Sequence, residues 1–359
     1  MTRISKEQPQ AHAKNPPEKR KGDILEKLDD EILNVNKLRD RLKKQTTGTG
    51  TSDKPVEEFL QEEEGEKGGG EGGGGENDPA QATTAAEENW QIASKYYKDI
   101  DTKAFRQYEL ACDRVKQFYE EQHEKQTVAY NIQARINFKS KTRDKMTVWE
   151  GLEKLNKLLD DSDPDTELSQ IDHALQTAEA IRRDGKPRWF QLVGLIHDLG
   201  KLLYFFDSKG QWDVVGDTFP VGCKFSKRII FSDSFTKNPD FLNPLYNKKY
   251  GIYSKHCGLD KVMLSWGHDE YMYHVAKRSS TLPPEALAMI RYHSFYPWHH
   301  EFAYSYLMDD HDKEMLKAVK VFNNYDLYSK IDQQYDVEEL KPYYMDLIDE
   351  FFPDKIIEF

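Results

Sequence analysis

Six polar residues sit in apolar or aromatic settings that do not account for them. They are His173 in DHALQTAEAIR, the pair His197-Asp198 in LVGLIHDLGK, His268 in LSWGHDEY, His293 in IRYHSFYPWH and Asp326 in FNNYDLYSK. Burying an unpaired charge costs several kcal/mol, so such groups are normally paired or coordinate a metal. Oxygen-only sets suit Mg²⁺ or Ca²⁺ and thiolates suit Zn²⁺, whereas mixed imidazole and carboxylate sets with open positions suit redox iron or manganese. Six protein ligands leave two octahedral ions with exchangeable positions, which marks a catalytic rather than a structural centre. A single His-Asp pair would read as a satisfied core histidine with a capping aspartate, but this pair has company. The other histidines carry the plainer reading. His12 and His123 lie in polar sequence expected to be exposed; His256, His274, His299, His300 and His311 lie near loops or helix ends, facing solvent or hydrogen-bonded.

The elements that must position these residues read as helices. In 189–204, WFQLVGLIHDLGKLLY, apolar residues recur every three or four positions, which predicts a buried helix through 206. Lys201 follows His197 by four residues, on the same predicted face, and reads as a cation aimed at a substrate oxygen rather than a snorkelling surface lysine. Lys330 repeats the arrangement after Asp326, and Ser294 directly follows His293. Further helices are predicted at 110–137, 145–159, 171–183, 261–277, 284–295, 310–328 and 337–351. The acidic run DDSDPD at 160–165 is a turn enforced by proline. Residues 207–260 predict loops, short helices and a small strand pair. One all-α domain over 89–359 accounts for the pattern.

Residues 1–88 differ in kind. A basic, proline-containing start precedes a short amphipathic helix at 23–44, and a glycine- and glutamate-rich stretch follows, with GGGEGGGGE at its centre. Such sequence buries too little apolar area to offset its ordering entropy and predicts a disordered extension. The low hydrophobic fraction of the whole chain, 38%, and its mean hydropathy of -0.83 fit that division. A net charge of -12 argues against a nucleic-acid backbone or an anionic membrane as partner. Three scattered cysteines fit a reducing compartment. With no apolar run of membrane length and no signal-peptide core, a soluble cytoplasmic protein is expected.

The order His, His-Asp, Asp resembles that of HD-domain metal proteins, in which bundled helices each contribute a ligand. Seven segments together closely resemble the myo-inositol oxygenase family: HALQTAEAIR, LVGLIHDLGK, WDVVGDTFPVGC, KHCGL, LSWGHDEY, IRYHSFYPWH and FNNYDLYSK. The likeness runs from about Phe105 to Tyr344. It implies an HD-domain-like helical bundle around a di-iron site, which opens the ring of myo-inositol with O₂ to give D-glucuronate and water. It also implies a mixed-valent Fe(II)/Fe(III) pair. One iron would take His173, His197, Asp198 and Asp326; the other would take His268 and His293, with Asp198 bridging. The family's substrate contacts carry over to Arg106, Asp160, Asp163, Lys201, Gly216, Asp217, Ser294 and Lys330. Residual positive charge at such a centre would lower the pKa of a coordinated alcohol.

Two other classes compete: an HD-type phosphohydrolase with non-redox metals, and a non-catalytic metal- or polyol-binding module. The added histidine pair, His268 and His293, and the want of an arginine cluster to grip phosphate favour the oxygenase over the hydrolase. Open coordination and two lysines beside ligands argue against a mere binding module.

Overall fold

The computed structural model describes residues 88–92, 94, 97, 113–162, 169–329 and 335–359. The N-terminal extension, its helix at 23–44, and the site candidates Arg106, Asp163 and Lys330 lie outside the described residues. Within them the fold is all-α. Ten helices follow in order: α1 (Asp113–Lys125), α2 (Val128–Ser140), α3 (Val148–Leu155), α4 (Gln170–Arg183), α5 (Arg188–Ile196), α6 (His268–Ser279), α7 (Pro284–Tyr292), α8 (Tyr296–His299), α9 (Asp310–Tyr328) and α10 (Val337–Phe351).

Side-chain caps fix several boundaries. Thr147 and Glu150 form a capping box at α3, Asp309 and Asp312 form one at α9, and Ser169 and Asp336 cap α4 and α10. Each supplies an acceptor to amides that the first turn leaves unpaired, worth ~1 kcal/mol. Apolar residues of α5 (Phe190, Leu192, Val193 and Ile196) are fully buried against α4 and the Phe322 and Tyr325 rings of α9. Before α1, Trp90 in the turn Glu88–Gln91 is buried edge-on to Trp189, 6.4 Å between centroids.

Several expected helices are cut where function gathers. The long helix predicted at 110–137 is two, because Thr127 caps the Tyr130 amide and the Gln126 side chain turns away to the Trp212 and Trp266 carbonyls. The helix predicted at 189–206 ends at Ile196; after His197-Asp198 the chain winds more tightly as a 3-10 segment, Leu199–Phe205. The helix predicted at 261–277 starts only at His268, with Gly267 as its cap, and α7 ends with His293 in the capping position. Four of the candidate ligands, His197, Asp198, His268 and His293, therefore sit at helix ends, not in helix middles. The strand pair expected within 207–260 is not there: that region holds 3-10 turns at Gln211–Asp213 and Ser232–Lys237. Two short strands among the described residues, β1 (Lys145–Met146) and β2 (Ile357–Glu358), pair antiparallel and tie residues 357–358 beside α3.

Candidate metal centre

Two pockets of imidazole nitrogen and carboxylate oxygen meet at Asp198. On one side, Asp198 Oδ2 faces His173 Nε2 at 3.7 Å and His197 Nε2 at 3.4 Å. Asp326 Oδ1 closes that side, 3.1 Å from His173 Nε2 and 3.2 Å from His197 Nε2. On the other side, Asp198 Oδ1 faces His268 Nε2 at 3.4 Å and His293 Nε2 at 3.5 Å. All six side chains are buried. Among the described residues, His173, His197 and Asp198, and Asp198, His268 and His293, form groups compact enough to hold a metal ion.

The local folding dictates how the rings point. His197 Nδ1 lies 2.8 Å from the Gly194 carbonyl, His268 Nδ1 2.7 Å from that of Val214, and His293 Nδ1 3.0 Å from that of Ile290. A carbonyl only accepts, so each Nδ1 carries the proton and each Nε2 presents a lone pair to the pocket, the tautomer a metal ligand requires. The Nε2 atoms of His268 and His293 are only 3.2 Å apart. Two lone pairs at that distance, walled by carboxylates, form a set of acceptors that a cation satisfies. His197 Nε2 is likewise buried with no hydrogen bond. The donor set fits a metal ion on each side.

Electrostatics without a metal agree. Burial opposes ionisation of Asp198, but Lys201 and His197 outweigh it and hold the carboxyl well below its ordinary range. Asp326 is held low in the same way, against burial, by His197 and His173. Burial lowers His173 despite Asp326. Burial also opposes protonation of His293, but Asp269, Asp198 and Asp326 raise it to about 9. Without a metal this pocket therefore takes its positive charge as a proton on His293, and the lone pair on its Nε2 is presented once a cation displaces that proton.

Lys201 belongs to this centre and is 8% exposed, so it is no snorkelling side chain. Its Nζ lies 2.9 Å from Asp198 Oδ2 and 2.8 Å from Asp160 Oδ2, and donates to Gln170 at 3.4 Å. Because the 3-10 segment replaces the expected α-helix, the partner of Lys201 is Asp198, three residues back. Burial disfavours its charge, but the two carboxylates raise its pKa above the usual lysine value. Asp160 also accepts from the Ser162 amide and hydroxyl, at 2.9 and 2.6 Å.

The segment around Gly216 and Asp217 is laced to the second pocket. The Val214 carbonyl accepts from the His268 amide, and the Thr218 amide donates to the Ser294 carbonyl at 2.9 Å. Gly216 has φ +87°, and a β-carbon there would lie 2.6 Å from the Phe118 ring, so glycine is required at this turn for packing. Asp217 is buried near Tyr119, whose hydroxyl donates to it at 3.4 Å. The Ser294 hydroxyl lies 3.3 Å from His268 Nε2.

Two buried residues escaped the sequence reading. His123 is not exposed: it is fully buried, stacked 3.9 Å from Phe235, with Nδ1 2.6 Å from the Ser234 hydroxyl. Asp269, 1% exposed, places Oδ1 2.7 Å from His268 Nε2 and 3.4 Å from His293 Nε2. The available signal was the dipeptide: His268-Asp269 repeats His197-Asp198, though His311-Asp312 shows that such a pair also serves as a helix cap. His299, buried as well, is hydrogen-bonded at 2.8 Å to the His293 carbonyl.

The model of the myo-inositol oxygenase family matches residues 112–359. The chain is 52% identical over 260 residues to a probable inositol oxygenase of Oryza sativa subsp. japonica, covering 70% of this chain and 84% of that one. It is 48% identical over 263 residues to the inositol oxygenase of Dictyostelium discoideum, covering 71% and 90%. To that of Danio rerio it is 47% identical over 258 residues, covering 70% and 92%. A match over most of the chain, with the two histidine pockets inside it, places the chain in the myo-inositol oxygenase family.

Proposed function

We infer that this chain is an inositol oxygenase, opening the ring of myo-inositol with O₂ to give D-glucuronate and water. The observation that carries the reading is Asp198, whose two oxygens face two separate histidine pairs. His173, His197, Asp198 and Asp326 would hold one iron; His268, His293 and the other oxygen of Asp198 would hold the second, in an HD-like bundle. Iron in the Fe(II)/Fe(III) state would supply the redox chemistry towards O₂ and acidify a bound hydroxyl.

The side chains around the pockets do the rest. Lys201 stays an ammonium between Asp160 and Asp198, so it donates to a substrate oxygen and stabilises negative charge there; it does not act as a base. Asp160 accepts from ring hydroxyls, a role the family resemblance implies for Asp163 as well, and Ser294 offers a hydroxyl on the side of the His268 and His293 pair. Arg106, Gly216, Asp217 and Lys330 complete the polyol contacts that the family resemblance implies. A pocket walled by buried histidine, aspartate and lysine matches a neutral polyol with many hydroxyls. Residues 1–88 are a separate extension, dispensable for this chemistry. No helix among the described residues is long and apolar enough to cross a membrane. The acidic net charge and the three scattered cysteines support a cytoplasmic enzyme acting without nucleic acid.

The test is reconstitution. Metal-stripped full-length protein loaded with Fe(II) under anaerobic conditions, then given myo-inositol and limiting O₂, should yield D-glucuronate with one O₂ consumed per product. A form loaded with Mg²⁺ or Zn²⁺ that hydrolyses phosphate esters, beside an iron form that takes up no O₂, would establish the hydrolase instead.

A further inference from the structure

The two pockets are more alike than their assigned ligands imply. In the first, the two Nε2 atoms of His173 and His197 share one oxygen of Asp198 and are closed by Asp326 Oδ1 at 3.1 and 3.2 Å. In the second, the Nε2 atoms of His268 and His293 share the other oxygen of Asp198 and meet Asp269 Oδ1 at 2.7 and 3.4 Å. Asp269 thus holds the place in the second pocket that Asp326 holds in the first. We propose that Asp269 is a fourth protein donor to the cation of the second pocket in the substrate-free enzyme, giving up its place when a vicinal diol arrives.

Three observations support this. Asp269 is buried and faces the His268 and His293 rings rather than a lysine or arginine, so its charge is balanced from within the pocket, by a proton on the histidine pair or by a cation that takes the place of that proton. Its anchoring is lopsided: Oδ2 accepts from the Ser294 amide at 3.1 Å, while Oδ1 accepts from the Ser294 hydroxyl at 3.1 Å and faces the two imidazoles. One oxygen fixes the carboxylate to the backbone and the other is offered to the pocket. Moreover, with Nδ1 of His268 and His293 committed to backbone carbonyls, each Nε2 can donate to Oδ1 only when its ring is charged, so Oδ1 meets either that proton or a cation in its place. The 2.7 Å separation from His268 Nε2 puts Oδ1 where a shared positive charge, a proton or a metal ion, holds the two atoms together.

The inference rests on the two-cation reading above, and one titration separates their failures. Fe(II) is added anaerobically to metal-stripped full-length protein, with binding followed by calorimetry and by bound iron per chain. Two bound irons in the unmodified protein are the premise; fewer would overturn the two-cation reading itself. Asp269→Asn should then bind the second iron about 10- to 100-fold more weakly, with the first within twofold of the unmodified protein. Saturating myo-inositol should narrow that gap, because the diol replaces the carboxylate. Ser294→Ala should leave both affinities near their original values. Second-iron affinity unchanged in Asp269→Asn, or lost equally in Ser294→Ala, would reduce Asp269 to a hydrogen-bonding anchor for Ser294. Should Asp269→Asn fail to fold, Asp269→Ser, which keeps an acceptor for the amide and drops the charge, is titrated in its place with the same criteria.

Discussion

Gly200 lies so close to the His268 backbone that a β-carbon on it would run into the His268 carbonyl. That contact joins the two halves of the centre: Gly200 follows Asp198 by two residues, and His268 opens α6 on the other side. Packing the 3-10 segment directly on α6 is what lets Asp198 reach a histidine of each pair.

Gly200→Ala should therefore harm both stability and metal binding. The obstacle is backbone, which cannot rotate aside as a side chain can, so the overpacking cost falls at or above about 1–3 kcal/mol. The melting temperature should drop, and occupancy of the His268 and His293 pocket should fall before that of the first pocket. Thermal melts with bound iron per chain check both. Unchanged occupancy at both pockets would show that the contact does not set the distance between them.

The two pockets should also come apart by mutation. His268→Ala removes a donor from one side only, so about one iron should remain bound. Asp198→Ala removes the carboxylate that faces both pairs, and both irons should be lost or strongly weakened. Equal iron content in the two folded variants would contradict the sharing of Asp198.

Acid should destabilise the domain through His123. Burial pushes its pKa from the ordinary 6.5 down to about 3, with a hydrogen bond from the ring to the Phe231 backbone opposing. The unfolded chain then takes up this proton more readily than the folded one. The stability His123 contributes is complete above about pH 6.5 and is lost as pH falls from there towards 3. At pH 5 the loss amounts to about 2 kcal/mol, at 1.36 kcal/mol per unit. His123→Phe, which keeps the stack on Phe235, should flatten this part of the profile. Urea midpoints measured between pH 7 and 5 give the comparison, and an equally steep variant would place the acid sensitivity elsewhere.

How much of this was legible beforehand follows from what each signal depends on. The all-α class, and the boundaries of α4, α9 and α10, rest on apolar periodicity and capping residues, which are local. The six candidate ligands stood out because an apolar context gave them no other use. The breaks at Gln126-Thr127 and at His197-Asp198 did not show, since both depend on distant partners: the Trp212 and Trp266 carbonyls for Gln126, and α6 for Gly200. His123 looked exposed because its neighbours are charged, while its own ring meets Phe235, far along the chain. Asp269 was hidden by its position at the start of α6, where an aspartate already has an ordinary use in the first turn.

Lys201 makes the sharpest remaining test, because two roles for it predict different double mutants. Its ammonium lies between Asp160 and Asp198, all three buried. Lys201→Met keeps a side chain of similar length that suits the helix-like segment, but leaves Asp160 without its cation. Removing one partner of a buried pair costs about 3–5 kcal/mol, so the metal-free variant should melt well below the unmodified protein. Turnover should fall for a separate reason. A charge-assisted hydrogen bond to the substrate is worth about 1.5–3 kcal/mol, which is roughly ten- to a few hundred-fold in rate. Adding Asp160→Asn removes the stranded carboxylate and should restore much of the melting temperature. It should not restore turnover, since no ammonium is left to meet the developing charge on the substrate oxygen. Melts and single-turnover rates on iron-loaded single and double variants decide the matter. If the double variant regained its rate along with its stability, Lys201 would be a structural counter-ion for Asp160 and nothing more.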